Sequence, residues 1–176
     1  MKKHVLRGIT ALALALVCVC ALVACGGGAK APEIPEGYQV YDNGALSFAY
    51  PADWSASSGS VVTLTNPSGA GNNITVVYEA KTDMYDDLTA ESFGTMMQPT
   101  YEAMGMKISD VKVEKKTTNG LSVVQITYNA KLAGVSLSQT AFITTVGDST
   151  YTVTVTETTQ DDELVKTVFE TLYAGK

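Results

Sequence analysis

Two groups of carboxylates have the residue types and spacing from which chemistry could be built. The first is Glu79, Asp83, Asp86, Asp87 and Glu91. Oxygen-rich clusters suit calcium, which takes about six to eight oxygen ligands. The ordered acids of an EF-hand loop, with their central glycine, are absent. The same acids lead into a helix that starts near Thr89, where negative charge favours the helix dipole. That plainer role is preferred, and no metal ligand is assigned. The second group is Glu157, Asp161, Asp162 and Glu163. Paired carboxylates can hydrolyse glycosides, but only at a set separation across a cleft. These acids again stand at a helix start, so no catalytic residue is assigned.

The histidine and the cysteines are all at the front of the chain. His4 is the one histidine, and the cysteines are Cys18, Cys20 and Cys25. Lys2, Lys3 and Arg7 form a basic start, and Gly8 to Ala24 is apolar and uncharged. A basic segment followed by a short apolar one marks a secretory signal. The run falls just short of the roughly 20 residues of a membrane-spanning helix. Its end, Leu22-Val23-Ala24-Cys25, resembles the lipobox of bacterial lipoproteins, and Gly26-Gly27-Gly28 resembles their tether. The resemblance implies a diacylglyceryl thioether on Cys25 and cleavage between Ala24 and Cys25. It places the protein on the extracytoplasmic face of the cell membrane, with the membrane as a partner through Cys25. Two acyl chains anchor firmly where one binds marginally. The expected organisation is a signal peptide over 1–24, a lipidated cysteine and tether over 25–37, and one domain over 38–176.

Cleavage would change the inventory. Cys25, the one cysteine left, would carry the thioether, so no free thiol and no histidine remain. Ser-His-Asp and Cys-His sites are excluded, as are zinc sites built on His or Cys. Nine lysines would face 18 acids, a net charge of −9, with no arginine. Such a chain is a poor match for nucleic acid, whose phosphates need basic patches. It is also poorly equipped to clamp phosphate or carboxylate bidentately. No cofactor is expected.

These features need elements to position them. Pro32 and Pro35 stiffen the tether toward extended chain. Asn43-Gly44 is a turn signal, and Leu46, Phe48 and Tyr50 then alternate up to Pro51. Val61 to Thr65, and Ile74, Val76 and Tyr78, read as a hairpin across a Pro/Gly-rich loop. Phe93, Met97, Tyr101 and Met104 recur at helical spacing, predicting a helix from about Thr89 to Met104, capped by Thr89. Pro99 lies inside it and is expected to kink or split it. From Ile108 to Thr158 the alternation predicts a four-strand meander, with turns at Thr118-Asn119-Gly120, Ala133-Gly134 and Gly147-Asp148-Ser149. A closing helix follows from about Gln160 to Tyr173. Its stripe is Val165, Val168, Phe169 and Leu172, with Gly175 near the C-cap. The fold class is α+β, an antiparallel sheet flanked by helices in a single domain.

Tyr50-Pro51-x-x-Trp54, the apolar strand Val61 to Pro67 and this order of elements resemble PsbP-like and Mog1-like domains. The resemblance covers residues 38 to 174. It implies an α/β/α sandwich with a central antiparallel sheet, and a non-enzymatic role in docking or assembly. The metal-binding histidines of some plant members have no counterpart here. Trp54 reads as a lid on the core edge, and Met96, Met97, Met104 and Met106 as adaptable core filling. The threonines from Thr150 to Thr158 suit a strand, and could also form a flat docking face. The expectation is a non-catalytic module that docks on an envelope protein. The alternative is an envelope protein that binds a small ligand or metal ion. An exposed apolar patch favours the first, and a pocket of about 300 Å³ or more the second.

Overall fold

The computed structural model of the chain describes residues 31–69, 71–132 and 134–175, with Leu132 described by its backbone. Leu22-Val23-Ala24-Cys25 and the first tether residues lie outside the described residues. The strands are β1 (Tyr38–Asp42), β2 (Leu46–Pro51), β3 (Ser55–Ala56), β4 (Val62–Thr65), β5 (Asn73–Ala80), β6 (Met106–Thr118), β7 (Leu121–Leu132), β8 (Val135–Val146), β9 (Ser149–Glu157) and β10 (Tyr173–Ala174). The helices are α1 (Ala90–Ala103) and α2 (Asp162–Thr171). Seven strands pair in the order β3-β4-β5-β9-β8-β7-β6, and β1-β2-β10 form a second sheet. All pairings are antiparallel. The expected class, an α+β domain with antiparallel sheet flanked by helices, is what the chain adopts.

The meander stands as its alternation requires. Asn119 and Gly120 both have positive φ, 46° and 80°, as a two-residue type I′ hairpin demands. They set Thr118 opposite Leu121. From there the period of two sorts side chains onto two faces. On the first face Phe142, Val153, Val155, Ile74, Val76 and Leu64 are buried beneath Leu46 and Phe48 of β2 and Leu164, Val168 and Leu172 of α2. On the second face Ile126, Tyr128, Ala141 and Ile143 are buried beneath Phe93, Met97 and Tyr101 of α1. The helices therefore cover opposite faces. Trp54 is buried in the first core.

Four local expectations are revised. β1, β3 and β10 carry little alternation of their own and exist because neighbours offer pairing edges. β2, buried on both faces, is held between β1 and β10, so part of the cover is a second sheet rather than helix. Pro99 does not split α1, which runs unbroken for 14 residues. Pro99 and Thr95, whose carbonyl loses its donor, are both exposed to solvent. The closing helix starts at Asp162 rather than near Gln160, with Asp161 as its N-cap accepting from the Leu164 N–H at 3.0 Å. Gly175 is no C-cap. Its N–H donates to the Ala45 carbonyl at 2.6 Å, and a Cβ there would lie 2.6 Å from the Gly44 oxygen. Only a glycine lets the chain end approach so closely.

The seam between α2 and the small sheet is polar and specific. Thr171 Oγ1 accepts from the Ala49 N–H at 2.8 Å and donates to the Thr167 carbonyl at 2.6 Å. β10 pairs only as far as Ser47, so Thr171 supplies the acceptor that the short strand does not reach. Asn119 Nδ2 meanwhile donates to the carbonyls of Glu170 and Leu172 at 2.7 and 3.0 Å, tying the β6–β7 turn to the end of α2. Thr171→Val keeps the shape but strands the fully buried Ala49 N–H. It is expected to lower stability by about 1–3 kcal/mol, read as a lower urea midpoint.

Candidate functional site

The second face of the large sheet is only partly roofed. α1 packs over β6, β7 and β8. Beyond it, Thr152, Thr154 and Thr156 of β9 stand beside Asn73, Thr75 and Val77 of β5 and Thr63 of β4. All are partly or fully exposed. Of the threonines from Thr150 to Thr158, Thr152, Thr154 and Thr156 stand on this open face, while Thr150 is buried beside the cleft and Thr158 lies beyond β9. A chain of polar groups links α1 to its border. Tyr101 Oη lies 2.6 Å from Tyr128 Oη and donates to Gln139 Oε1 at 3.1 Å, and Gln139 Nε2 donates to Thr156 Oγ1 at 3.1 Å. Burial, then the Tyr101 hydroxyl, pushes the Tyr128 phenol far above its usual range. That network is invisible in the sequence, because its members are up to 55 residues apart in the chain.

At the turn end of the same face lies a cleft of about 570 Å³. Its floor holds Val124 and Ile143, its walls Thr117, Ser122, Thr145 and Thr150, and the charged residues along it are Lys115, Lys116 and Asp86, the Lys116 ammonium being paired with Glu114 at 3.1 Å. The connection from β5 to α1 builds one wall with Thr82 and Tyr85. Three contacts pin that connection down. The Lys81 N–H donates to the Asp148 carbonyl at 2.9 Å, and the Thr82 N–H donates to Thr150 Oγ1 at 3.2 Å. Tyr85 Oη donates to Glu79 Oε1 at 3.1 Å. The segment then enters α1 through a capping box. Thr89 Oγ1 accepts from the Ser92 N–H at 3.1 Å, and Ser92 Oγ from the Thr89 N–H at 2.9 Å.

The cleft can offer hydroxyl donors and acceptors, one ammonium and one carboxylate over an apolar floor. Those groups bind and orient. Burial and then the Glu79 hydrogen bond raise the Tyr85 phenol, which removes it from base chemistry at neutral pH.

The acids singled out in the sequence disperse. Glu79 holds Tyr85, Asp86 faces the cleft, and Glu91 lies in the first turn of α1. Among the described residues no three His, Cys, Asp or Glu gather as metal ligands. The second group serves α2. Asp161 caps it, Asp162 accepts from Gln160 Nε2 at 2.8 Å, and Glu163 pairs with Lys166 at 3.7 Å. Glu157 is buried and accepts from the Asp161 N–H at 2.6 Å. Of the methionines, Met97 and Met106 pack into the second core while Met96 and Met104 are exposed.

The sequence matches the family model of PsbP over residues 36–174. This chain belongs to the PsbP family. No curated protein matches it in sequence. In structure it is similar to cyanobacterial PsbP (CyanoP) from Synechocystis, with a TM-score of 0.62 at 19% identity, covering 86% of this chain and 97% of that one. It is also similar to LpqN of Mycobacterium tuberculosis, described as involved in cell envelope biogenesis. There the TM-score is 0.42 at 13% identity, covering 79% of this chain and 91% of the other. At 19% identity the likeness to CyanoP speaks to fold. The expected PsbP likeness, resting on Tyr50-Pro51-x-x-Trp54 and element order, is thereby met.

Glu157 gives a pH test. Burial raises its carboxyl above the ordinary carboxylate range, against the lowering effect of the Asp161 N–H. The folded state therefore holds this proton more tightly than the unfolded chain does. The stability it contributes is complete below the unfolded carboxylate pKa of about 4.3 and is lost as pH rises through the folded value. Glu157→Gln does not titrate. Its urea midpoint relative to the parent should climb from about pH 4 toward neutrality; a difference that stays flat would contradict the shift.

Proposed function

We propose that this PsbP-family protein is a lipid-anchored extracytoplasmic lipoprotein, held to the cell membrane through Cys25, whose domain is a non-catalytic interaction module. The reading of Cys25 rests on Leu22-Val23-Ala24-Cys25 and the glycine tether, with residues 1–24 removed and residues 25–37 spanning from membrane to domain. The docking reading is carried by one observation. The half of the large sheet formed by β4, β5 and β9 presents a face made mainly of Thr63, Asn73, Thr75, Thr152, Thr154 and Thr156, on which no helix of the described residues packs. Val61 and Val77 are exposed there or at its border. Family membership supports it, since PsbP-like domains resemble accessory modules rather than enzymes. A second reading, a small polar ligand in the envelope, is favoured by the cleft, whose roughly 570 Å³ is sufficient to hold one.

Two measurements test this. Cys25→Ala should leave the chain unacylated and release it from the membrane fraction; retention there with unchanged mass would overturn the anchor. In-cell crosslinking of the wild-type protein should recover one recurrent envelope protein, lost when Thr75→Arg and Thr152→Arg place charge on the open face. If crosslinking survives those changes, the face is not the docking surface. If instead a small molecule raises the melting temperature and Thr145→Trp, which fills the cleft rim, abolishes the rise, the ligand reading replaces docking.

A further inference from the structure

The lysines of this domain are concentrated. Of seven in the described residues, five lie on the β6–β7 hairpin: Lys107, Lys112, Lys115, Lys116 and Lys131. The hairpin has two acids, Asp110 and Glu114, and the rest of the described residues have two lysines against 16 acids. A strongly acidic domain thus has one basic edge. β6 is the outermost strand of the large sheet among the described residues, 13 residues long, with one side not paired to any strand of them. The register sets Lys107 directly opposite Lys131. Like charges in that relation repel. Neither is relieved by an acid, since the ion pairs among the described residues are Lys116–Glu114 at 3.1 Å and Lys166–Glu163 at 3.7 Å. The local acid, Asp110, sits in a β-bulge and accepts from Ser109 Oγ and Asn129 Nδ2, both at 2.9 Å.

Lysines and a bulge on an outer strand also deter strand-to-strand aggregation. That accounts for β6. It does not account for Lys131, which lies on β7, a strand paired on both sides, where charge protects no edge. We propose that this basic edge seats the domain on the anionic headgroups of the membrane. The proposal rests on the anchored reading for its setting. From Cys25 to Tyr38 is 13 residues, at most roughly 45 Å of chain, so the edge is kept at high local concentration beside the bilayer. Lys107, Lys112 and Lys116 project from one face of the sheet and Lys115 from the other, so a surface met edge-on is reached from both. The acids elsewhere, repelled by the same surface, turn the threonine face of β4, β5 and β9 outward or sideways, free for a partner.

The test uses the chain from residue 25 onward with Cys25→Ser, so that no lipid contributes. It is sedimented with vesicles of pure phosphatidylcholine or of phosphatidylcholine mixed with phosphatidylglycerol. Binding to the anionic vesicles alone is expected, and its loss at ~0.5 M salt, where screening shortens to a few ångström. K107Q/K131Q should weaken that binding about 30-fold, at about a factor of five per lysine. K81Q/K166Q, with the same change in net charge, should leave it within about twofold. K107Q/K131Q should melt no lower than its parent, because it relieves a repulsion. The proposal is overturned if anionic vesicles bind no better than neutral ones, if the two double variants weaken binding equally, or if K107Q/K131Q binds as the parent does. In any of these cases a crosslink to an envelope protein that K107Q/K131Q loses would reassign the edge to an acidic protein partner. The anchor is judged separately by Cys25→Ala fractionation, so either idea can fail alone.

Discussion

Five consecutive residues of β8, Thr140 to Thr144, are buried, and a strand whose successive side chains point to opposite faces can be so only if both faces are covered. The rest of the architecture answers that requirement. Phe142 points to the first face and meets Phe169 of α2 at 5.6 Å between ring centroids. Ala141 and Ile143 point to the second and join the cluster beneath α1. Neither helix could cover both. Their positions on opposite sides, and the recruitment of β1, β2 and β10 as additional cover, follow from one strand that has no solvent face.

Cover is unequal because the apolar surface is unequal. On β9 the first-face residues are Tyr151, Val153 and Val155, while the second-face residues are all threonine. Burying threonine on the second face would remove hydroxyls from water for little apolar gain. α1 therefore packs where Ile126, Tyr128 and Ile143 offer apolar area and stops short of β9 and β5. The open face and the cleft are consequences of that boundary. The connection carrying Thr82 and Tyr85 closes one side of the cleft because its backbone finds acceptors in Asp148 and Thr150. Charge follows a third pattern, with lysines collected on the outer hairpin and acids over the remainder, so the domain meets its surroundings with differently charged sides.

Much of the fold could be read from the chain. Period-two alternation from Ile108 to Thr158, broken at Asn119-Gly120 and Gly147-Asp148, fixes the meander. Helical spacing of Phe93, Met97 and Tyr101 fixes α1. The short strands could not be read. β3 is two residues and β10 two residues, and each forms only because a neighbouring strand end is free. The site was legible in part. Threonine alternation marked the open face, and the acids near Asp83 marked the connection that walls the cleft, though for helix and turn reasons rather than metal binding.

By itself the sequence determined composition, alternation and order: an acidic α+β domain without histidine after the first residues, preceded by a segment ending in Leu22-Val23-Ala24-Cys25. These are local properties, because a two-residue or 3.6-residue period and a charge count need no partner from elsewhere in the chain. The tertiary structure decided what depends on distant residues meeting. It placed Tyr101 against Tyr128 and Gln139, set Thr171 under Ala49, and left the threonine face uncovered. It also put Lys107 opposite Lys131. Each of these arises from strand register and layer packing, which bring together residues that the chain keeps apart.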